Sequence, residues 1–73
     1  MQLNRRLREV RMDKNFTQEA LSERVDIALR TYQCYEQGRT IPSLQVLIRL
    51  ADALGISIDY LVGRDEFVIK NDE

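Results

Sequence analysis

One stretch decides the fold of this chain: TQEALSERVDIALRTYQCYEQG, residues 17–38. Its opening threonine is suited to cap a helix over residues 18–24, which carries a glutamate in its first turn, where the helix dipole favours an anion. A turn is expected at residues 26–27. A further helix over residues 28–37 ends at Gly38, a residue type that readily adopts the left-handed conformation found after helices. The spacing therefore predicts two short helices joined by a tight turn.

These two helices are too short to be stable alone, so each depends on packing against the rest of the chain. Ala20, Leu21 and Val25 are expected to form the buried face of the first, and Tyr32 and Tyr35 to anchor the second. A helix, a tight turn and a helix in this order are typical of a helix-turn-helix, whose second helix enters the major groove of DNA. The stretch therefore predicts a DNA-binding unit.

A further helix is expected before this stretch. Leu3, Leu7 and Val10 recur at helical spacing over residues 3–13, and Asn15 is suited to a left-handed stop. The pattern predicts a first helix whose apolar side faces the core.

Two more helices are expected after residue 38. Pro42 fits the first turn of a fourth helix that runs up to Gly55. Ser57 is suited to cap a short fifth helix, with Asp59 in its first turn and Gly63 at its end. The residues expected to face inward are Leu44, Leu47, Ile48, Ala51 and Leu54 in the fourth helix, and Ile58, Leu61 and Val62 in the fifth. Five helices without a strand predict an all-α fold.

Composition narrows the class of protein. With 73 residues, 44% apolar and 32% charged, the chain is expected to form one small soluble domain. No apolar run approaches the roughly 18 residues that span a bilayer, which favours a cytoplasmic protein without membrane contact. Cys34 is the lone cysteine and histidine is absent, so zinc binding and His-dependent catalysis have little support. We expect no metal, no cofactor and no small-molecule substrate.

Charge is unevenly distributed along the chain. The formal net charge is −1, but residues 1–40 sum to +2 and residues 41–73 to −3. This asymmetry fits a DNA-facing side built from the first half, and it also fits an ordinary mixed surface. Charge alone does not decide between these alternatives.

Four segments carry a family resemblance: TQEAL at residues 17–21, YEQGR at 35–39, PSL at 42–44 and LADALGISIDYL at 50–61. Together they resemble the lambda-repressor/Cro-type helix-turn-helix family, also called the XRE family, over about residues 4–63. The resemblance implies a compact five-helix domain over residues 1–63 and a bacterial or phage origin. Residues 64–73 would form a short acidic tail that is disordered or joins a dimer contact through Phe67, Val68 and Ile69.

The resemblance also implies which residues meet DNA, with the third helix in the major groove. The base-reading positions are Ala28, Leu29, Arg30, Gln33 and Cys34. The phosphate-contacting positions are Arg11, Thr17, Gln18, Gln37, Arg39 and Thr40. Arg11 and Glu36 stand where many members of the family form a structural ion pair.

Side-chain chemistry suggests which base each base-reading residue would recognise. Arg30 is suited to guanine O6 and N7, Gln33 to adenine, and Leu29 to a thymine methyl group. Alternatives stay open: Leu29 partly buried, Arg30 solvated or bound to phosphate, Thr17 acting only as a cap, and Cys34 either a tolerated small side chain or an oxidation-sensitive one.

Two positions depart from the family pattern. Asp26 stands where the turn usually has glycine, and aspartate tolerates left-handed geometry at some cost. Ala28 stands where serine or threonine often caps the third helix, and alanine has no capping oxygen. The third helix is therefore open to a shift of one residue at its start, which would change the register of base contacts.

Three functional classes follow. The first is a small transcriptional regulator, a repressor that binds a palindromic operator on double-stranded DNA as a homodimer, because one such module makes few base contacts. The second is an antitoxin or antirepressor-type module that contacts a protein partner through its acidic second half. The third, an enzyme, lacks a nucleophile–base pair and a metal-ligand cluster in the sequence.

Overall fold

The computed structural model of the protein describes residues 3–63. Five helices and no strand lie within this part of the chain, which confirms the all-α prediction. The helices are α1 Leu3–Asp13, α2 Gln18–Arg24, α3 Leu29–Gln37, α4 Leu44–Leu54 and α5 Ile58–Val62. The proposed apolar cluster of the tail, Phe67, Val68 and Ile69, lies outside the described residues.

Local signals account for most helix ends. The hydroxyls of Thr17, Ser43 and Ser57 accept hydrogen bonds from the backbone N–H three residues later, at 3.0, 3.3 and 3.0 Å, so each caps its helix as the N-cap residue. Asn15 has a φ of 64° after α1, which confirms the expected left-handed stop. Such local signals act within a few residues, and those of Thr17, Ser57 and Asn15 were predicted correctly from the sequence.

Two predicted helix starts are wrong. Ala28 is the N-cap of α3 and makes no side-chain capping bond, so the helix begins at Leu29. Pro42 is buried ahead of the N-cap Ser43 and is not in the first turn of α4. In both cases the predicted first residue lies outside the helix, because the chain is still extended where the cap forms.

The core lies around α1, which packs against both α3 and α5, while α2 closes against α3 and α4 against α5. Its fully buried side chains come from all five helices: Leu7, Leu21, Tyr32, Leu50 and Leu61. Leu3 and Val10 are also buried, which confirms the predicted face of α1. The long-range packing of these side chains supports helices that are individually too short to persist.

The predicted inner face of α4 is partly wrong. Leu44 is 66% exposed and Ile48 is 42% exposed, while Leu50, Ala51 and Leu54 are buried. The helix is apolar on most sides, so its sequence offers two overlapping stripes of helical spacing. Packing against α5 selects the stripe that contains Leu50.

Smaller differences occur in α2 and α5. Ala20 is exposed, and the buried position beside Leu21 is taken by Ser22, whose hydroxyl donates to the carbonyl of Glu19 at 2.8 Å. This bond satisfies the buried hydroxyl within its own helix, which makes a polar residue acceptable there. In α5 only Leu61 is fully buried, and the flanking Ile58 and Val62 are half-buried.

Candidate nucleic-acid interface

The connection between α2 and α3 sets the orientation of α3. Val25 is buried at the end of α2, and Asp26 adopts a φ of 60°, so the turn keeps left-handed geometry without glycine. The N–H of Ile27 donates to the carbonyl of Ser22 at 3.0 Å, which closes the turn. This connection and the buried Tyr32 hold α3 against α1 and α2.

The five predicted base-reading residues share one side of the α3 segment. Tyr32 and Tyr35 face the core, with ring centroids 6.5 Å apart in an edge-to-face arrangement. At 100° per residue, positions 30, 33 and 34 lie on the arc away from the two tyrosines, and position 29 lies at the edge of this arc, about 60° from Tyr32. Ala28 and Arg30 are exposed, while Leu29, Gln33 and Cys34 are half-buried. The structure therefore brings these five residues together on an accessible surface.

Glu36 is the centre of a hydrogen-bonded cluster behind this surface. Arg11 donates from Nε to Glu36 Oε2 at 2.5 Å and from Nη2 to Oε1 at 3.3 Å, which makes a bidentate ion pair. The hydroxyl of Tyr32 also donates to Oε2. Gln18 donates from Nε2 to Oε1 at 3.0 Å. One carboxylate thus links α1, α2 and α3.

Burial makes this cluster sensitive to the loss of any charge. The side chains of Arg11 and Glu36 are 12% and 4% exposed. Removing one partner of such a pair leaves the other charge uncompensated, at a cost of roughly 3 to 5 kcal/mol. A third donor of Arg11, Nη1, binds the carbonyl of Phe16 at 2.8 Å. The predicted phosphate contact of Arg11 would therefore involve a guanidinium that already donates hydrogen bonds to Glu36 and Phe16.

The cluster shifts the pKa values of its members. Burial alone would raise the pKa of Glu36, but hydrogen bonds from Arg11, Tyr32 and Gln18 outweigh burial and hold this pKa below its usual range. Burial raises the pKa of Tyr32, and its hydrogen bond to Glu36 raises it further. At neutral pH the carboxylate is therefore charged and the phenol protonated.

Gln18 connects the cluster to the exposed side of α3. Its Nε2 donates to Glu36, and its Oε1 accepts from Nε2 of Gln33 at 3.3 Å. The structure thus joins a predicted phosphate-contacting residue to a predicted base-reading residue. Sequence reasoning missed this link and the part played by Tyr32. The four-residue spacing of Tyr32 and Glu36 was the available signal, since such side chains meet on one helix face.

The remaining predicted phosphate contacts lie at the two ends of the motif. Thr17 is exposed at the start of α2, and its hydroxyl already accepts from the N–H of Ala20. Gln37, Arg39 and Thr40 are exposed around Gly38 at the end of α3. Gly38 has a φ of 76°, and a Cβ there would lie 3.2 Å from Nδ2 of Asn4. Its left-handed backbone therefore suits glycine, and a Cβ there would require only a small shift of the exposed Asn4 side chain.

Across residues 3–63, no group of three or more His, Cys, Asp or Glu side chains is placed to hold a metal ion. Within the same residues, none of the helices has the length and apolar character needed to cross a membrane.

Comparison with known proteins places this geometry in a family. The family model described as Helix-turn-helix matches residues 7–61. The chain is 41% identical over 64 residues to the cryptic phage CTXphi transcriptional repressor RstR of Vibrio cholerae, an alignment that covers 88% of this chain and 57% of that protein. It is 33% identical over 72 residues to the HTH-type transcriptional regulator ImmR of Bacillus subtilis, covering 99% of this chain and 57% of ImmR.

A phage protein gives a similar match. The immunity repressor protein of Bacillus phage phi105 is 32% identical over 73 residues, covering 100% of this chain and 50% of the phage protein. The chain spans about half the length of the curated relatives it matches. The matched residues 7–61 include α2, the turn and α3 in full. The chain belongs to the helix-turn-helix family of the lambda-repressor/Cro, or XRE, type.

Proposed function

We propose that this chain binds double-stranded DNA in a sequence-specific manner and regulates transcription as a repressor. The observation that carries the proposal is the accessible side of α3, which presents Arg30 and Gln33 while Tyr32 and Tyr35 anchor the opposite side in the core. Such a helix matches the width of the major groove. The relatives RstR and the phi105 protein are named as repressors, which supports the sign of regulation.

Base recognition would come from the N-terminal half of α3. Arg30 is exposed and free of the Glu36 cluster, so its guanidinium is available for a bidentate contact with guanine. Gln33 would contact adenine, and Leu29 a thymine methyl group. Ala28 and Cys34 would pack against base edges at the two margins of this surface.

Phosphate contacts would position the motif without reading sequence. Gln18 and Thr17 lie at the start of α2, where backbone N–H groups point outward and the helix dipole favours an anion. Arg39 would contact the next phosphates beyond α3, together with Gln37 and Thr40. Arg11 would contribute through the two N–H groups that Glu36 and Phe16 leave unused.

We further propose that the protein acts as a homodimer on a palindromic operator, because one α3 helix reaches only a few base pairs. Two half-sites about one helical turn apart would then be bound together. The action would be regulatory, not catalytic, in the cytoplasm and on the nucleoid, without a cofactor or a small-molecule substrate. Residues 64–73 would form the proposed tail beyond the domain.

Selection of bound sequences from a random duplex library at fixed low salt tests this function. The proposal predicts enrichment of an inverted repeat, with half-site centres about 10 base pairs apart. Arg49→Ala is a matched control, since this exposed arginine of α4 has no role in the proposed contacts. It should select the same sequence as the wild type, whereas Arg30→Ala should not. A library without enrichment would contradict the proposal.

A protein partner is the competing candidate, and one feature favours it. Leu44 and Ile48 are exposed apolar side chains on neighbouring turns of α4, and Ile41, which is also exposed, lies just before this helix. An antitoxin or antirepressor-type complex would cover such a surface. This function would be favoured if the random library showed no enrichment while Leu44→Ser abolished binding of a purified partner.

A further inference from the structure

Glu36 dictates the direction of a chain of hydrogen bonds. An ionised carboxylate only accepts hydrogen bonds, so every partner of Glu36 must present a donor to it. Three partners do so: Arg11, Tyr32 and Gln18. Because the side chain of Glu36 is 4% exposed, solvent competes little for these contacts.

The carboxylate therefore sets the orientation of the Gln18 amide. Nε2 of Gln18 lies 3.0 Å from Glu36 Oε1 and must be the donor. The carbonyl oxygen of Gln18 consequently points away from Glu36, towards Gln33. Turning this amide around would place its oxygen against the carboxylate, with two acceptors facing each other.

The carbonyl oxygen of Gln18 in turn sets the orientation of Gln33. The Gln18 oxygen is again an acceptor, and Nε2 of Gln33 lies 3.3 Å from it. One N–H of Gln33 is thereby engaged, which leaves the second N–H and the carbonyl oxygen for the surface of α3. The side chain then offers one donor and one acceptor side by side.

This remaining pair of groups distinguishes the two purines. Adenine presents an acceptor at N7 and a donor at N6 in the major groove, which complements one N–H and one oxygen. Guanine presents two acceptors, N7 and O6, which would need both N–H groups of the amide. A freely rotating glutamine can offer both N–H groups, but Gln33 with one N–H engaged cannot.

We propose that Gln18 is a positioning residue that, held by Glu36, locks the amide of Gln33 and makes it select adenine over guanine. This inference rests on the proposed function, in which Gln33 meets a base. It assigns Gln18 a role in specificity beyond its proposed phosphate contact. A contact with phosphate alone would strengthen binding to every sequence equally.

The base pair read by Gln33 is first identified as the one at which Gln33→Ala loses its base preference. The test then compares affinities for four duplexes that differ only at this base pair. In wild type, a good bidentate contact favours adenine over guanine by roughly 5- to 150-fold. Gln18→Ala should reduce this adenine:guanine affinity ratio by about fivefold or more. Gln18→Met, which keeps the side-chain length but donates no hydrogen bond, should do the same.

Arg39→Ala is the matched control, because its proposed contact is with phosphate. It should weaken all four duplexes by a similar factor and leave the ratio unchanged. If Gln18→Ala and Gln18→Met also leave the adenine:guanine ratio at its wild-type value, the proposal is overturned. Failure of the wild type to prefer any duplex would instead overturn the proposed function.

A measurement without DNA tests the lock directly. In NMR spectra of the free protein, the chemical shifts of the Gln33 side-chain amide protons should differ from their random-coil values. Gln18→Ala should return them towards those values, with the backbone spectrum of α3 largely retained. Gln33 resonances that are already at random-coil positions in wild type, or that do not respond to Gln18→Ala, would overturn the proposal whatever the result with DNA.

Discussion

Replacing Glu36 by alanine is expected to destabilise this domain severely. The Glu36 side chain is 4% exposed and accepts hydrogen bonds from three other side chains. Without it, the Arg11 guanidinium, which is 12% exposed, keeps its charge but loses its partner, and the Tyr32 hydroxyl loses its acceptor. Removing one member of a buried ion pair costs roughly 3 to 5 kcal/mol.

That cost is large for a domain of this size. Small domains are stable by about 5 to 15 kcal/mol in total. In a domain of 60 to 100 residues, each kcal/mol lowers the melting temperature by roughly 4 to 8 °C, so we expect a fall of at least about 12 °C. Thermal unfolding followed by far-ultraviolet circular dichroism measures this directly, because the described residues are largely helical.

Two comparisons isolate the ion pair from a general effect of substitution. Glu23→Ala removes an exposed glutamate of α2 and should change the unfolding free energy by less than about 0.5 kcal/mol. The double variant Arg11→Met with Glu36→Leu removes both charges and should recover much of the loss, since an apolar pair avoids the unpaired charge. The reasoning is refuted if Glu36→Ala melts within a few degrees of wild type, or if the double variant is no more stable than Glu36→Ala.

Three further predictions concern pH, backbone conformation and salt. Because the pKa of folded Glu36 lies below its ordinary value of about 4.3, its charge stabilises the fold above that pH and this contribution is lost as pH falls through the folded pKa. Urea unfolding should therefore show a gap between wild type and Glu36→Gln that is full at neutral pH and narrows in acid; a gap independent of pH would contradict this. Gly38→Ala should lower the free energy of unfolding by roughly 1 to 2 kcal/mol, because Gly38 has a left-handed φ. Gly55→Ala, at a φ of 70° with open space around it, should cost nearly as much. The two costs should be similar because the exposed Asn4 side chain beside Gly38 can move aside, which leaves the backbone conformation as the main cost at both positions. Equal melting temperatures of wild type and both variants would count against the strain. Arg39→Ala should weaken DNA binding equally for all sequences and reduce the slope of log affinity against log salt by about one unit, and an unchanged slope would remove Arg39 from the phosphate contacts.

Local chemistry made much of this fold predictable. The caps Thr17 and Ser57 and the left-handed stops Asn15 and Gly38 act through bonds within a few residues, so their positions follow from the sequence. The face of α1 was also predictable, because its apolar residues form a single stripe. In α4 two stripes compete, and the choice depends on packing against α5 that no local pattern specifies.

Within the candidate site, the Arg11–Glu36 ion pair was predictable from the sequence, whereas the hydrogen bonds of Gln18 were not. Resemblance to a family indicated which side of α3 would meet DNA and which residues would form the ion pair. The bonds from Gln18 to Glu36 and to Gln33 span 18 and 15 residues of sequence, and they depend on how closely α2 approaches α3. Glutamines are common on helix surfaces, so nothing in the sequence distinguished these two from solvated ones.

The most direct test of sequence reading by α3 is the base preference of wild type, Arg30→Ala and Gln33→Ala, measured at every position of the selected site under identical salt. The account predicts that each variant loses preference at its own base pair, by about 1 to 3 kcal/mol, and keeps the preferences elsewhere. Preferences that remain unchanged in both variants would contradict the account and assign recognition to another surface.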